Sequence, residues 1–430
     1  MRSHRPRPVF RGALAAPTFV VASIVTAAVV LGGCAGSDSS SAPSPTTAAS
    51  TGATQSAAAT SAAATTPSSS PTPVAPAASA TPRPSEEIAF FKFSDSTHFG
   101  IQLIRADGSA SAALVNGWSP AWSPDGRQLA FISEAGGGSL YITGRDGSSA
   151  VAVKGLVPNG IEAWSPDSQS LLFSARNSCA ANDASLYLVG RDGATPKRLT
   201  ETPAFTGAWS PDGKKIAFAT LTNEGTKLTG EIWTMNADGS GKVRIVSGGT
   251  GKNNVAASPS WSPDGRLIAF STTFRPGIGA GDDPNGEIWT VAPDGSGLRK
   301  VASGWRFAWS PDGKRLAFEA GPAFPPAERG IYIAAPDGTG LTRLTKGGDT
   351  DYAPSWSPDG KRIVYQAGSD VLRMPRIMVM QADGTQPANI AAGSEPIWLP
   401  AAASATSGAA DSAIAVLPPV VSNPIANRRC

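Results

Sequence analysis

Histidine is nearly absent from this chain of 430 residues, which contains only two, His4 and His98. His4 lies in a predicted N-terminal export segment, so His98 is the one histidine in the rest of the chain. A histidine-rich metal centre is therefore excluded, and a Ser-His-Asp triad would depend on His98 alone. The sequence also lacks a Gly-x-Ser-x-Gly nucleophile motif. The remaining catalytic chemistry is a pair of carboxylates, which can cleave glycans without histidine, although no pair can be placed at the required separation.

Charged residues are also scarce, at 16% of the chain, and neither sign dominates. Four of the 36 basic residues lie in the first 33 positions, so the rest of the chain has 32 basic residues against 33 acidic ones. A neutral body argues against nucleic-acid binding through a basic face. With 47 glycines and 37 prolines, the composition also excludes a helical bundle or a coiled coil.

The N-terminus has the pattern of an export signal. Arg2, Arg5, Arg7 and Arg11 precede the uncharged segment 13–33, which ends in Leu-Gly-Gly before Cys34. This ending resembles the bacterial lipobox, so we predict a signal peptide over 1–33 and lipid attachment at Cys34. An uncleaved membrane anchor is the alternative, since 21 apolar residues can just span a bilayer. Either form places the rest of the chain on the extracytoplasmic face of a bacterial cell membrane.

Low-complexity segments flank the central part of the chain. In 35–85, 47 of 51 residues are Ala, Ser, Thr, Pro or Gly, and none is aromatic. Such a composition cannot form a core, so we predict that 34–85 is a lipidated cysteine followed by a disordered tether. The tail 401–430 is similar and is assigned no fold. The folded domain is therefore predicted to span 86–400.

A repeat occupies this domain. Trp-Ser-Pro-Asp recurs six times, and a degenerate copy, Trp-Leu-Pro, follows at Trp398; the six complete copies begin at Trp122, Trp164, Trp209, Trp261, Trp309 and Trp356. Asp-Gly pairs recur out of phase with this motif. A period in the mid-forties with four short strands per unit is typical of a propeller blade. We therefore predict an all-β fold, a seven-bladed β-propeller.

The motif itself predicts the strand order within a blade. Ser-Pro-Asp-Gly forms the turn between strands a and b, and Asp-Gly turns strand c into strand d. The motif Trp follows Ala or Ser in all six complete copies, so it can pack on the small residues of a neighbouring blade. Segment 88–115 supplies strands b, c and d, and 395–399 supplies a lone strand a. We therefore predict that the C-terminal strand closes the ring.

These Trp-Ser-Pro-Asp-Gly repeats, with the aliphatic strand and the Ala-Asp-Gly turn, resemble the TolB-type (WD-like) β-propeller repeat over 312 residues. The resemblance implies the propeller fold and an extracytoplasmic setting. TolB itself would bind the peptidoglycan-associated lipoprotein and an energy-transducing envelope complex, but this chain has a lipid anchor and a stalk in place of TolB's folded N-terminal domain. TolB has six blades, so six is the alternative count here. We therefore transfer the fold and the setting, and no partner.

One face of the propeller is predicted to bind. The b–c and d–a connections share this face, and they include the long segments 177–185, 221–230, 273–286, 321–330, 367–376, 247–259 and 345–355. Long connections in compact domains are often functional, and aromatic and Arg side chains anchor interfaces. The exposed candidates are Phe274, Arg275, Phe324, Arg329, Tyr352 and Arg373. The alternative is that these side chains are only solvated.

Two further features leave alternatives open. Hard oxygen ligands for a structural Ca²⁺ lie at Asp282, Asp283, Asn285 and Glu287, and at Asp349 and Asp351, but such aspartates commonly only form turns. Outside the cell, Cys179 and Cys430 could form a disulfide or remain two free thiols.

The sequence therefore predicts a monomeric, membrane-tethered propeller without a resident cofactor, acting as a non-enzymatic binding scaffold for an envelope protein or a cell-wall glycan. No catalytic or metal-binding residue is assigned. The alternative function is a carbohydrate-active propeller enzyme that uses paired carboxylates.

Overall fold

The computed structural model describes residues 86–93, 99–133, 138–176, 184–201, 203–224, 227–248, 255–273, 286–321, 329–346, 351–368 and 375–400. Within these ranges the chain forms 28 β-strands and no helix, and so none of the described segments is a helix able to cross a bilayer. Cys34, His98, Cys179 and Cys430 lie outside the described residues. The all-β architecture predicted from the repeat is confirmed.

The strands fall into groups of four, in each of which the strands pair in the order a, b, c, d. The a strands, which we call the inner strands, are β4 (Trp118–Trp122), β8 (Val157–Trp164), β12 (Ala204–Trp209), β16 (Val255–Trp261), β20 (Trp305–Trp309), β24 (Asp351–Trp356) and β28 (Ser394–Trp398). The b strands are β1 (Glu87–Phe93), β5 (Gln128–Ser133), β9 (Ser170–Arg176), β13 (Lys215–Glu224), β17 (Ile268–Thr273), β21 (Leu316–Ala320) and β25 (Arg362–Ala367).

The c strands are β2 (Phe99–Arg105), β6 (Ser139–Gly144), β10 (Ala184–Gly190), β14 (Lys227–Asn236), β18 (Glu287–Val291), β22 (Gly330–Ala334) and β26 (Arg376–Gln381). The d strands are β3 (Ala112–Val115), β7 (Val151–Ala152), β11 (Lys197–Arg198), β15 (Val243–Val246), β19 (Arg299–Ser303), β23 (Thr342–Arg343) and β27 (Ala388–Ala392). The a–b and c–d turns therefore share one face, the turn face, and the b–c and d–a connections share the other, the connection face.

The first sheet contains strands from both ends of the described chain. Its order is β28-β1-β2-β3, with Ile88 opposite Trp398 in antiparallel register. Two groups, β12–β15 and β16–β19, are joined into one sheet by a single parallel pair, Gly230 and Val255. The closed ring of seven blades stays a prediction, for which this grouping and the β28–β1 pairing are the structural basis.

The a–b turns are built in the same way in each complete motif. In the fourth group, the Ser210 hydroxyl donates to Asp212 Oδ1 at 2.6 Å and accepts the Lys215 N–H at 2.9 Å. Gly213 then has a φ of +68°, which favours glycine. Ser168 replaces that glycine in β8–β9 and has a φ of +61°, and its hydroxyl accepts the Asp125 N–H from the neighbouring turn at 3.0 Å. This bond between groups helps to hold the left-handed serine.

The core lies between neighbouring groups. Trp164 Nε1 donates to the Ala121 carbonyl of the preceding inner strand at 3.0 Å, and Trp356 Nε1 donates to the Ala308 carbonyl at 3.2 Å. Neighbouring inner strands also contact each other, as β8 and β12 do. The predicted packing of the motif Trp against a small residue of the adjacent blade is therefore present. For these tryptophans, packing accounts for the recurrence of the motif.

Three predicted connections are wrong in extent. Segment 221–230 was expected to be an irregular loop, but β13 and β14 continue as a hairpin with Leu221 opposite Gly230 and Thr222 opposite Thr229. The cross-strand pair of Thr222 and Thr229, both β-branched, favours this extension. Strands β16 and β24 begin at Val255 and Asp351, so the d–a connections 247–259 and 345–355 are shorter than predicted.

The inner strands share a bulge that the repeat pattern does not predict. Their pairing with the b strands shifts register before the motif Trp, for example between Trp305 and Ala308 in β20. The residue three positions before the motif Trp has positive φ in five inner strands; these residues are Ser119, Ser258, Arg306, Ala353 and Glu395. Bulges re-aim side chains and are frequent near functional sites, so the starts of the inner strands are candidate positions for a site.

Candidate functional site

Only two of the predicted binding residues lie in the described part of the chain. Phe274, Arg275, Phe324 and Arg373 lie outside it, as does the lipid attachment residue Cys34. The structure brings the other two together: the Arg329 guanidinium carbon lies 5.0 Å from the centre of the Tyr352 ring. Both lie at the connection face, Arg329 just before β22 and Tyr352 at the second position of β24.

These two residues are less exposed than predicted. The Arg329 side chain is 16% exposed, because its Nη2 donates to Glu319 Oε1 at 2.7 Å and Glu319 is fully buried. Tyr352 is half-buried, because it belongs to an inner strand and not to a loop. The prediction that both are exposed loop side chains is therefore wrong. A buried ion pair of this kind is held by its geometry, and removing one member leaves an uncompensated charge.

Arg329 is held between two aromatic rings. Its guanidinium carbon lies 5.0 Å from the Trp305 ring centre, the same distance as from Tyr352. Trp305 and Tyr352 occupy equivalent positions in neighbouring inner strands, four residues before the motif Trp in each. Stacking between two rings together with the bond to Glu319 fixes the guanidinium in place. Arg329 therefore holds the two rings and Glu319 in place, and its charge is neutralised by Glu319.

Close backbone approach at Gly304 places Trp305 in this cluster. A Cβ atom at Gly304 would lie 2.6 Å from the Glu319 carbonyl oxygen, so only glycine lets the start of β20 come this near to β21. Trp305 then lies opposite Glu319 in the pairing register and is 2% exposed. The indole forms the floor of the cluster, beneath Arg329.

Arg306 is the cationic side chain of the site that sequence reasoning missed. It has a φ of +48° at the bulge, is half-buried, and places its guanidinium carbon 6.0 Å from the Tyr352 ring centre. Its Nε is buried and has no hydrogen-bond acceptor among the described residues. A signal was available: the equivalent positive-φ positions of other inner strands hold no cation, and they are Ser119, Ser258, Ala353 and Glu395. An arginine here departs from the repeat.

A second departure from the repeat lies on β8. Glu162 stands two residues before the motif Trp, where four other inner strands have proline. It is 6% exposed; its Oε1 accepts the Ser174 hydroxyl at 2.8 Å and its Oε2 accepts the Gly207 N–H of the next inner strand at 3.3 Å. Burial raises the pKa of Glu162 to about 8, and the hydrogen bonds from Ser174 and Gly207 only partly oppose this. At neutral pH this carboxyl is mainly protonated and bridges two inner strands.

The predicted calcium ligands are mostly outside the described chain. This holds for Asp282, Asp283, Asn285 and Asp349. Glu287 is described, and it accepts the Lys300 ammonium at 2.6 Å and the Trp289 indole N–H at 3.2 Å. Asp351 is 8% exposed at the start of β24. Within the described ranges no three His, Cys, Asp or Glu side chains group as a metal site, and a structural Ca²⁺ stays a prediction.

The repeats match a known family. A family model described as the TolB beta propeller domain matches residues 85–279. Over these residues the repeats match the TolB-type propeller family. The chain is 34% identical over 89 residues to the Tol-Pal system protein TolB of Syntrophus aciditrophicus, which covers 21% of this chain and 17% of that protein. It is 28% identical over 206 residues to the uncharacterized protein Atu1656 of Agrobacterium fabrum, covering 46% of this chain and 64% of that one.

A solved structure agrees with the β-propeller fold. The β-propeller domain of the Trilobed protease from Pyrococcus furiosus superposes with a TM-score of 0.52 at 13% identity, covering 73% of this chain and 94% of that one. That domain is described as having an open velcro topology. Here, by contrast, β28 pairs with β1. At this identity the likeness concerns the fold alone, and the chain spans less than two thirds of the two curated relatives above.

Proposed function

We propose that this TolB-type propeller is a non-enzymatic binding module that is tethered to the extracytoplasmic face of the membrane and engages an envelope protein through its connection face. The observation that carries the proposal is the contrast between the two faces. The a–b turns repeat one design, whereas the start of β20 and the start of β24 bring Trp305, Arg306, Arg329 and Tyr352 together. Aromatic and Arg side chains are those that dominate binding energy at interfaces.

The tether follows from the N-terminal sequence. Cys34 would hold the chain at the membrane, with 35–85 as the stalk that gives the propeller reach. Similarity to a Tol-Pal system protein, together with the TolB beta propeller match over 85–279, supports an envelope setting. Replacing Cys34 with Ala is expected to release the protein from the membrane fraction, and retention of the variant would refute lipidation.

The proposal is tested by crosslinking in cells followed by mass spectrometry. The full chain is compared with a version whose connection 274–285 is shortened to a four-residue Gly-Ser link, and with a control version in which the turn-face residue Lys314 is replaced by Ala. An envelope protein that crosslinks to the full chain and the control, but not to the shortened version, supports the proposal. A crosslinked partner unaffected by the shortening would contradict it.

A carbohydrate-active enzyme is the alternative function. Turnover of cell-wall glycan that is abolished by one acidic substitution on the connection face would establish it, and glycan binding without turnover would not.

A further inference from the structure

Arg306 is not required by the bulge on which it lies. The equivalent positions with the same positive φ hold Ser119, Ser258, Ala353 and Glu395, so this backbone conformation needs neither a long side chain nor a cation. At a φ of +48°, arginine is no less strained than serine or alanine would be. The fold therefore offers no reason for a long cationic side chain at this position.

The charges around Arg306 leave its cation uncompensated. Arg329 and Glu319 neutralise each other at 2.7 Å, and Glu319 is fully buried. Among the described residues, no carboxylate lies within ion-pair distance of Arg306, and its buried Nε finds no acceptor. The Tyr352 ring lies beside it, 6.0 Å from the guanidinium carbon to the ring centre. A guanidinium that has no carboxylate partner among the described residues and lies beside a half-buried ring is suited to a carboxylate that carries an apolar stem.

We infer that Arg306 and Tyr352 form a binding site for a carboxylate of an acidic peptide segment. The Arg306 guanidinium donates hydrogen bonds to the carboxylate oxygens, and the Tyr352 ring packs against the methylene carbons of the same residue. The site extends the function proposed above and rests on the connection face being the binding face.

The surroundings favour a peptide over a sugar. A sugar ring needs several hydrogen-bonding partners for its hydroxyls and an open aromatic face to stack on. Trp305 is 2% exposed and is covered by Arg329, so its face is not open. Arg329 already bonds to Glu319. The one cation of the cluster without a carboxylate partner among the described residues, Arg306, matches a single acidic side chain of an extended segment.

The test measures binding of a fluorescently labelled hexaglutamate peptide to the full-length protein by fluorescence anisotropy. The variants are Arg306→Gln and the matched control Arg315→Gln. Arg315 also lies over an aromatic ring, 4.7 Å from the centre of Trp356, but at the turn face. Both variants lose one positive charge from an arginine beside a ring. Any loss of general electrostatic attraction for the peptide is therefore the same in both.

The inference predicts that Arg306→Gln weakens hexaglutamate binding by about tenfold or more, whereas Arg315→Gln changes it by less than about twofold. Arg306→Lys should be intermediate, because it keeps the charge but loses the planar donor edge. Equal weakening by Arg306→Gln and Arg315→Gln would overturn the inference. So would tighter, Arg306-dependent binding of a labelled hexaglucuronate, which would make the site a glycan site. Unchanged thermal unfolding of each variant is the folding control.

Failure of the peptide-binding test can be distinguished from failure of the proposed function. If Arg306→Gln leaves hexaglutamate binding unchanged while the envelope partner still crosslinks only through the long connection, the peptide site is refuted and the proposed function stands. If no partner depends on the connection face, the proposed function fails, whatever the peptide does.

Discussion

The two halves of each inner strand follow different rules. The half that ends in the motif Trp is nearly the same in six blades: it leads into Ser-Pro-Asp, and the serine hydroxyl donates to the aspartate at 2.6 Å in the turn after β12 and again after β20. The residues before the motif Trp and its preceding residue, which we call the variable half, differ between strands, with Glu162 in β8 and Arg306 in β20. The repeated half is determined by turn chemistry and Trp packing, so the variable half is where the chain can carry function without losing its fold.

The largest expected effect comes from removing an inner strand altogether. Ending the chain after Gly393 deletes β28, which pairs with β1 and contributes the buried Trp398 to the core around Ile88 and Phe90. The exposed edge of β1 should make the protein aggregate. Ending the chain after residue 400 is the control. Size-exclusion chromatography compares the two, and a soluble, monomeric protein ending at 393 would contradict ring closure by β28.

The next-largest effect concerns the ion pair of Arg329 and Glu319, which lies against Trp305 at the start of β20. Replacing Arg329 with Met leaves the buried Glu319 carboxylate without this cation, so unfolding free energy should fall by about 3–5 kcal/mol. Adding Glu319→Leu to the same variant should recover much of the loss, because no charge then remains buried. Urea denaturation measures both proteins. If the double variant is no more stable than Arg329→Met, the ion pair is not what holds Arg329 in place.

Glu162 predicts a pH dependence. Its pKa is raised to about 8 in the folded state, so folding favours the protonated carboxyl. Its stabilising contribution is fully present below the unfolded-state pKa and is lost as pH rises through about 8. Between these two pKa values the free energy of unfolding should fall by about 1.4 kcal/mol for each pH unit. Glu162→Gln should flatten this dependence. Guanidinium denaturation between about pH 5 and pH 8.5 gives the two profiles, and parallel profiles would show that Glu162 titrates normally.

The smallest effect is expected in the repeated half. The hydrogen bond from Ser210 lowers the pKa of Asp212 below its usual range. Partial burial opposes this effect, and the hydrogen bond from the Lys214 N–H adds to it. This stabilisation is present at neutral pH and is lost as pH falls below about 4. Because Asp212 is largely exposed, Asp212→Ala should cost only about 0.5–1 kcal/mol at pH 7. Asp212→Asn, which still accepts hydrogen bonds, should cost less. A larger loss for Asn than for Ala, measured by thermal unfolding, would contradict this role.

The repeated half could be predicted from the sequence because its causes are local. Pro and Gly at defined turn positions, and a small residue before each motif Trp, recur often enough to locate the strands and the propeller. The hairpin through Leu221 and Gly230 was missed because it interrupts that recurrence.

The site was only partly predictable, because its geometry depends on neighbours distant in sequence. Arg329 and Tyr352 were identified from residue type and position, but their burial depends on Glu319 and on the early start of β24. Arg306 and Glu162 were missed although each departs from the repeat at an aligned position. Comparing the inner strands with each other, residue by residue, is the signal that would have found both.

The most direct test of the central claim places a photo-crosslinking amino acid at Tyr352, in the variable half of β24, and in a separate protein at Lys314, an exposed residue of the turn face. Both proteins are expressed in cells and irradiated, and their adducts are identified by mass spectrometry. The account predicts that one envelope protein is captured from position 352 and not from position 314. Capture of that protein from position 314 alone would place the binding surface on the repeated face and contradict the account.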